Sequence, residues 1–534
     1  MESLKYLFLS ETGIKEIPSI SFKHMTSLEN LSLRGTPLKE LPSSIQFLTS
    51  LCSLDMSGCS KLESFPEITV PMESLVELNL SKTGIKELPS SIQFLTRLKR
   101  LDMSGCSKLE SFPEITVPME SLVELNLSKT GIKELPSSIQ FLTRLERLDM
   151  SGCSKLESFP EITASMESLV ELNLSKTGIK ELPSSIQFLT RLKRLDMSGC
   201  SKLESFPEIT ASMESLVELN LSKTGIKELP LSIKDMVCLK KLTLEGTPIK
   251  ELPLSIKDMV CLEELTLHGT PIKALPELPP SLRYLRARDC SSLETVPSII
   301  NIGGLLTRWD FTNCFKLDQK PLIEAMHLKI QSGEEITPGG IEMVLPGSEI
   351  PEWFGDKGVG SSLTIQLPSN CHQLKGIAFC LVFLLPPPSR DVYSDVHVKY
   401  KNGEHFASRE RHVILDNLGT CDSDHMILQY RLVKQLPENY GKGHATYKFY
   451  LLEEDSKGRM GNEPQIRQAD LYLSEGEELS FYEVLLRARQ RREIVIGYRA
   501  ANAEKAVINP PAKSERRRWS LKDVFVVIAE KERG

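Results

Sequence analysis

The sequence contains no run of 18 apolar residues. Its longest apolar stretch, Ile377 to Leu385, would cross about half a bilayer, so no membrane-spanning helix is expected. The N-terminal stretch Met1 to Lys5 lacks both the basic and the apolar region of a signal peptide, and none is expected. An excess of positive charge is missing as well. Charged residues are 25% of the chain and the formal net charge is −6, which excludes a nucleic-acid binder working through a general basic field. Catalytic signatures are absent too. No G-x-x-x-x-G-K-[ST] occurs, so no phosphate-cradling loop is present. There is no nucleophile elbow, no H-E-x-x-H and no Gly-rich dinucleotide loop. The Cys/His groups Cys371-His372 and Cys421 to His425 lack paired zinc-ligand spacing. The expectation is a non-enzyme without cofactor or metal, cytoplasmic, with the nucleus as the alternative compartment.

What the sequence does have is repetition. Leu75–Ser121, Leu122–Ser168 and Leu169–Ser215 are three copies of one 47-residue unit. The first two copies differ at three positions, and the second and third differ only at Glu146 against Lys193. Internal periods of this size mark solenoids. Each unit splits into parts of 23 and 24 residues that both open on L-x-x-L-x-L/M, the pattern of a leucine-rich repeat. Coil starts run from Leu4 through Leu28, Leu51 and Leu75 to Leu282 and, loosely, Leu306, about 14 coils.

Alternation at period two makes each coil start a short strand. Leu78 and Leu80 are expected to point inward, and Glu77, Asn79 and Ser81 outward. A small polar residue then turns in (Thr83, Cys106, Thr130, Cys153, Thr177, Cys200), a place where a buried side chain satisfies turn backbone groups. Pro89, Pro136 and Pro183 suit the first turn of a short helix or 3₁₀ turn on the convex side. Ile92, Leu95 and Leu98 follow at helical spacing, facing the core. A longer convex side than concave side bends the stack into an arc. Cys59, Cys106, Cys153 and Cys200 recur every second coil, about 10 Å apart and beyond disulfide reach, as expected of buried thiols in a reducing compartment. The N-L-S sequons at Asn30, Asn79, Asn126, Asn173 and Asn220 would be glycosylation candidates outside the cell, but they fall out of the strand pattern itself and no export signal accompanies them.

The outward face presents Glu77, Arg100, Glu124, Arg147, Glu171, Arg194, Glu218, Lys241 and Glu264 in one column, alternating in sign. The next column carries Asn79, Asp102, Asn126, Asp149, Asn173, Asp196 and Asn220. Two readings stand: a self-neutralised stripe that stabilises the stack, and a polar docking surface for a protein ligand. Near-identity of the copies favours the first reading in the middle. The varied coils, residues 1–74 and 239–316, are the better contact candidates. Candidate protein-binding residues are Glu77, Arg100, Glu124, Arg147, Tyr284 and Arg286. Met1 to Leu4 repeats Met72 to Leu75, so the chain begins at a repeat seam, and a further segment is expected upstream.

After the repeats the period changes. Trp309, Phe311 and Cys314 imitate a last coil, Pro321 to Gln331 reads as a capping helix, and Gly333 to Gly340 as a linker. Short strands separated by Gly, Pro and Asn then follow, at Met343–Leu345, 362–367, 377–385, 395–400, 425–432 and 446–452, the pattern of an antiparallel sandwich. The fold expected is an α/β leucine-rich-repeat solenoid with a curved parallel sheet, then an all-β jelly-roll or Ig-like sandwich, then a small α/β tail. The segments are 1–316, 317–340, 341–465 and 466–534.

LPGSEIPEWF (Leu345 to Phe354), GSSLTIQLP (Gly360 to Pro368) and LKGIAFCLVF (Leu374 to Phe383), following LPSSI-type repeats such as Leu88 to Ile92, resemble plant TIR-type nucleotide-binding leucine-rich-repeat immune receptors. The resemblance covers residues 1 to about 460 and implies a C-terminal jelly-roll domain that, with the repeats, binds a pathogen effector and releases an upstream nucleotide switch. It adds Trp353 and Phe354 as candidate contacts; packing against the last repeats is the alternative role for both. Neither the TIR nor the nucleotide-binding domain is in this sequence. From about residue 466, LSFYEVLLRARQRREIVIGYRAANAEKAVINPP and WSLKDVFVVIAEKE resemble the C-terminus of POLLUX-like ion channels, without any pore. The basic runs Arg487 to Arg492 and Arg516 to Arg518 read as solvated helix faces, with a nuclear signal or phosphate contact as the alternative. Three functions are therefore expected in order: effector sensor, scaffold or decoy regulating a full-length receptor, and ion-channel regulatory protein. In each the partner is a protein.

Overall fold

The computed structural model describes residues 3–22, 24–163, 166–211, 213–297, 307–332, 340–355, 362–366, 376–383, 392–400, 405–407, 412–415, 424–432, 443–451, 465–468, 478–481, 484, 493–499, 507–508, 516–519 and 524–529. The chain divides into two units, Met1–Pro346 and Gly347–Gly534.

The first unit is a ladder of three-residue parallel strands, from Tyr6–Phe8 through Tyr284–Arg286, continued by Thr307–Asp310 and Ile341–Pro346. Register is constant from coil to coil: Leu78 lies opposite Leu54 and Leu101, and Leu101 opposite Leu125. One inward leucine per strand therefore stacks on the next. Each coil closes over the same apolar set. In the coil beginning at Leu75 these are Leu75, Leu78, Leu80, Ile85, Leu88, Ile92 and Leu95, all buried. Each such side chain contributes about 1.5–3 kcal/mol relative to exposure. A single coil has no core of its own; its apolar edge is covered only by the next coil. Here the leucine-rich-repeat solenoid expected from the sequence is present.

The convex side is 3₁₀ in alternate coils of the exact repeat, as at Ser90–Phe94, Ser137–Phe141 and Ser184–Phe188. Five residues are too few for an α-helix to repay its nucleation, and the tighter 3₁₀ turn serves instead. Pro89 does not occupy the first helical position. It precedes it, with φ −66° and ψ 145°; the missing N–H and fixed φ still suit a helix entry, but from extended backbone.

In the exact repeats coils of two kinds alternate and meet through two different contacts; beyond them Thr coils follow one another at Thr224, Thr247 and Thr270. Thr coils carry the turn Ser81 to Gly84; Cys coils carry Ser104 to Ser107. From a Thr coil to the next Cys coil, Thr83 Oγ1 and Cys106 Sγ both donate to the carbonyl of Leu80, at 2.8 and 3.1 Å. The same pair recurs as Thr130 with Cys153 on Leu127 and Thr177 with Cys200 on Leu174. Across this contact Gln93 Oε1 also accepts from the Thr116 and Val117 amides. From a Cys coil to the next Thr coil the contact is a close backbone approach. A Cβ on Gly84 would lie 2.6 Å from the Ser60 carbonyl oxygen, and Gly131 and Gly178 repeat the distance. Here Ser91 accepts from the Ile68 amide and donates to Glu67, and Lys86 pairs with Glu63 at 2.7 Å. Lys133–Glu110 and Lys180–Glu157 repeat that ion pair, and each lysine, by hydrogen bond and then by charge, lowers its glutamate's pKa.

Left-handed backbone also alternates. The turn needs φ > 0 at Lys82, Lys129 and Lys176 and at Gly105 and Gly152. Glycine adopts this without strain, whereas lysine costs of order 1 kcal/mol.

The first unit ends on Trp309 and Phe311, both buried and edge-to-face, and on the helix Lys320–Ser332, one residue longer at each end than expected. The strand read at Met343–Leu345 is present as Ile341–Pro346 and continues the parallel sheet, Trp309 lying opposite Met343. Leu306 and residues 333–339 of the linker lie outside the described residues.

In the second unit Gly376–Phe383 pairs antiparallel with His425–Leu432. Ser362–Gln366, Gly443–Leu451 and Val392–Tyr400 form another antiparallel sheet. The strand ends at Leu367, Leu384, Leu385 and Leu452, the Cys371-His372 pair and Cys421 to Ser423 lie outside the described residues. Further along, Gln465–Gln468, Val524–Ala529 and Glu493–Arg499 make an antiparallel sheet. Arg516–Arg518 is a strand paired with Glu478–Ser480, not a helix face. The ladder bonds take its backbone, and Trp519 Nε1 anchors its end on the Leu479 carbonyl at 2.8 Å. Arg487 to Arg492 are outside the described residues.

Candidate protein-binding face

Period-two alternation sets which residues the sheet offers. In each strand the central leucine goes to the core and its two neighbours face outward. Glu77, Arg100, Glu124 and Arg147 lie directly opposite one another in successive strands, and the column runs on through Glu264 to Tyr284. The expected column is therefore present. Its charges are used internally. Arg100 reaches Glu77 at 2.8 Å and Glu124 at 3.3 Å; Arg147 pairs with Glu124; Arg194 reaches Glu171 at 2.8 Å and Glu218 at 3.4 Å. These arginines are at least half exposed, so each pair adds only a few tenths to about 1 kcal/mol. The ladder fixes side-chain direction and leaves little net field for a ligand.

The neighbouring column does a different job from the one expected. Asn79 Oδ1 accepts the Ser81 amide at 3.0 Å and Asp102 Oδ1 the Ser104 amide at 2.8 Å. Asn126, Asp149, Asn173 and Asp196 do the same. Asn and Asp stand there because a short side-chain oxygen closes the turn onto its own backbone two residues on. Ser81, expected to point outward, is buried, since that turn folds it back against the stack. The N-L-S sequons at Asn79, Asn126, Asn173 and Asn220 are thus a by-product of turn chemistry, whereas Asn30 stands in the column of Glu77.

Tyr284 and Arg286 lie on the same face, at the two ends of one strand that departs from the repeat. Tyr284 is half-buried between Glu264 and Arg308. Arg286 reaches diagonally to Glu264 at 2.6 Å. Beside them are two pairs that sequence reasoning missed. Arg288 binds Asp310 at 2.7 Å and Arg308 binds Glu342 at 3.0 Å, both carboxylates almost wholly buried. Their signal was the break in the repeat's own columns, with arginine at 286 in place of the turn-closing Asn or Asp and arginine again at 308. These buried pairs are weak evidence for added stability, and they make this end of the face the less regular one.

Trp353 and Phe354 belong to the second unit. Their rings stack with centroids 4.1 Å apart and planes 25° from parallel, both are half-buried, and the Phe354 amide donates to the Pro351 carbonyl at 3.2 Å. Among the described residues no group of three His, Cys, Asp or Glu could hold a metal ion, and no helix is long and apolar enough to cross a membrane.

A leucine rich repeat family matches residues 2–62, and a C-JID domain family matches residues 345–487. The chain is similar to the disease resistance-like protein CSA1 of Arabidopsis thaliana, 33% identical over 124 residues, covering 20% of this chain and 10% of CSA1. It is also similar to the ion channel CASTOR of Lotus japonicus, 81% identical over 72 residues, covering 14% of this chain and 8% of CASTOR. The chain thus spans a tenth or less of these relatives. Among solved structures it is similar to the leucine-rich repeat domain of the type III effector XopL, at 28% identity and a TM-score of 0.30, covering 39% of this chain and 64% of that one.

Proposed function

We propose that this chain is the protein-recognition region of a plant intracellular immune receptor, and that it binds a pathogen effector through the varied coils of the sheet face together with the second unit. The observation that carries the reading is the order of two matched families on one chain, leucine rich repeats followed by a C-JID domain; the similarity to CSA1 supports it. The chemistry agrees. The regular coils neutralise their own outward charges, while in the coils at residues 239–316 the column ends its alternation at Tyr284, with Arg286 beside it paired to Glu264. In this reading the chain is a binding module, not an enzyme, and acts in the cytoplasm or nucleus.

The test is capture of secreted pathogen proteins by the immobilised full chain. Saturable binding of one of them, weakened by Tyr284→Ala, supports the proposal. Failure to retain any member of a broad panel, from a chain with a native circular dichroism spectrum, counts against it.

A second reading is favoured by one observation, the 81% identity to CASTOR over 72 residues, which supports the channel-like resemblance at residues 466–534. In that reading the tail docks on a channel's soluble region. Removing residues 466–534 then abolishes association with the channel and leaves effector binding unchanged.

A further inference from the structure

Two consecutive coils abandon the surface residues of the repeat while keeping its core. Ile92, Ile233 and Ile256 occupy equivalent, fully buried places. Around them the exposed Ser90 becomes Leu231 and Leu254, Thr96 becomes Val237 and Val260, and Arg97 becomes Cys238 and Cys261. The result is a compact apolar patch: Leu231 is 67% exposed, Leu254 74%, Val237 41% and Val260 69%. The two 3₁₀ segments, Leu231–Asp235 and Leu254–Asp258, sit in coils whose strands, Glu218–Asn220 and Lys241–Thr243, are direct neighbours, about 5 Å apart. The fold does not require leucine or valine here, because serine and threonine stand at the same places in the exact repeats. Contiguous exposed apolar groups of this kind mark interaction sites.

We propose that this patch joins two copies of this chain. The reason is its charge pattern. Each segment carries a lysine followed directly by an aspartate, Lys234-Asp235 and Lys257-Asp258. A two-fold axis through the patch sets the lysines of one copy against the aspartates of the other, while the leucines and valines close over each other. Such a surface is self-complementary, as an isologous contact demands. A basic or acidic partner would meet as much repulsion as attraction on it. Lys257 also holds Glu277 at 3.0 Å, which fixes one lysine at the rim. Cys238 and Cys261, both partly exposed, lie beside the valines and approach their counterparts across the axis.

The test uses the full chain. Sedimentation velocity over a concentration series is compared between the wild type and a Leu231→Ser/Leu254→Ser variant. Serine is safe for folding, since Ser90, Ser137 and Ser184 stand in these places. The expected result is a monomer–dimer equilibrium whose dissociation constant rises about tenfold or more in the variant. A short bis-maleimide should cross-link the wild-type dimer and fail with Cys238→Ser/Cys261→Ser. A wild-type chain that stays monomeric at every concentration overturns the proposal. So does self-association that the serine variant leaves unchanged, or cross-linking that survives loss of both cysteines. Another protein seated on the patch of a monomeric chain also overturns it.

Discussion

Thr83 Oγ1 and Cys106 Sγ lie 3.2 Å apart and donate to one acceptor, the carbonyl oxygen of Leu80. The threonine bond lies within its own turn, and the cysteine bond crosses to it from the next coil. A Thr coil and the Cys coil after it are thus tied at a buried point, and within the exact repeats that tie alternates with the glycine approach.

Thr83→Val keeps the shape and removes the stronger donor. It should cost about 1 kcal/mol, the usual net worth of a buried neutral hydrogen bond, with Thr83→Ser nearly neutral. Urea denaturation followed at the repeat region checks this. Equal stability of the valine and serine variants would show that the hydroxyl does not matter.

Gly84 is the counterpart at the other contact. Gly84→Ala places a Cβ 2.6 Å from the Ser60 oxygen and 3.1 Å from that of Leu62. Both atoms are backbone and cannot step aside alone, so destabilisation of about 1–3 kcal/mol is expected. Gly13→Ala is the control, since a Cβ there meets nothing within 4 Å. Thermal melts in which both variants match the wild type would refute the close approach.

The cysteines at the Thr–Cys contact should be inert. Burial raises the pKa of Cys106, Cys153 and Cys200, and the thiol, not the nucleophilic thiolate, is held. Cys52 is exposed. Brief alkylation of the native chain followed by peptide mass spectrometry should label Cys52 and spare those three until denaturant is added.

Much of this was legible in the sequence. Coil number, inward leucines, the charge column and the ladder position all follow from a period of two inside a period of 23 or 24, because each depends only on where a residue stands in its own coil. What was not legible depends on the neighbouring coil. Thr83 and Cys106 read as equivalent small polar residues; their asymmetry lies in which coil's carbonyl they reach. Ser81 read as outward because strand alternation was carried one residue past the strand, where the Asn79 turn takes over. The tail's Arg516–Arg518 read as a helix face because a run of like charge carries no period to tell helix from strand.

Stability should weaken in acid for a stated reason. Glu63, Glu110, Glu157 and Glu204 have pKa values lowered from an ordinary 4.5, first by the hydrogen bond from their lysines and then by its charge. The contribution of a lowered carboxylate is whole above its ordinary value and is lost as pH falls through the lowered one. Melting temperatures of the wild type and a Lys86→Gln/Lys133→Gln variant should therefore differ at pH 7 and converge well below pH 4.5, with the gap also shrinking in about 1 M salt. A gap that persists at low pH would contradict this account.

Tyr284→Ala and Arg286→Ala should each weaken capture of a bound effector about tenfold, the scale of an interface anchor. Arg147→Ala, within the self-paired ladder, should change it little. Surface plasmon resonance decides between them, and the reverse order would move the binding face to the regular coils.

The alternation of two unlike contacts also sets how such an array can change its length. Excising Leu122–Ser168 rejoins Ser121 to Leu169, and every junction that remains is one already present. Excising a single coil from the exact repeats would create a junction of like coils there, of the sort that the Thr224, Thr247 and Thr270 coils form beyond them. Growth and loss through misaligned recombination in whole 47-residue steps therefore reproduce only junctions that the exact array already contains.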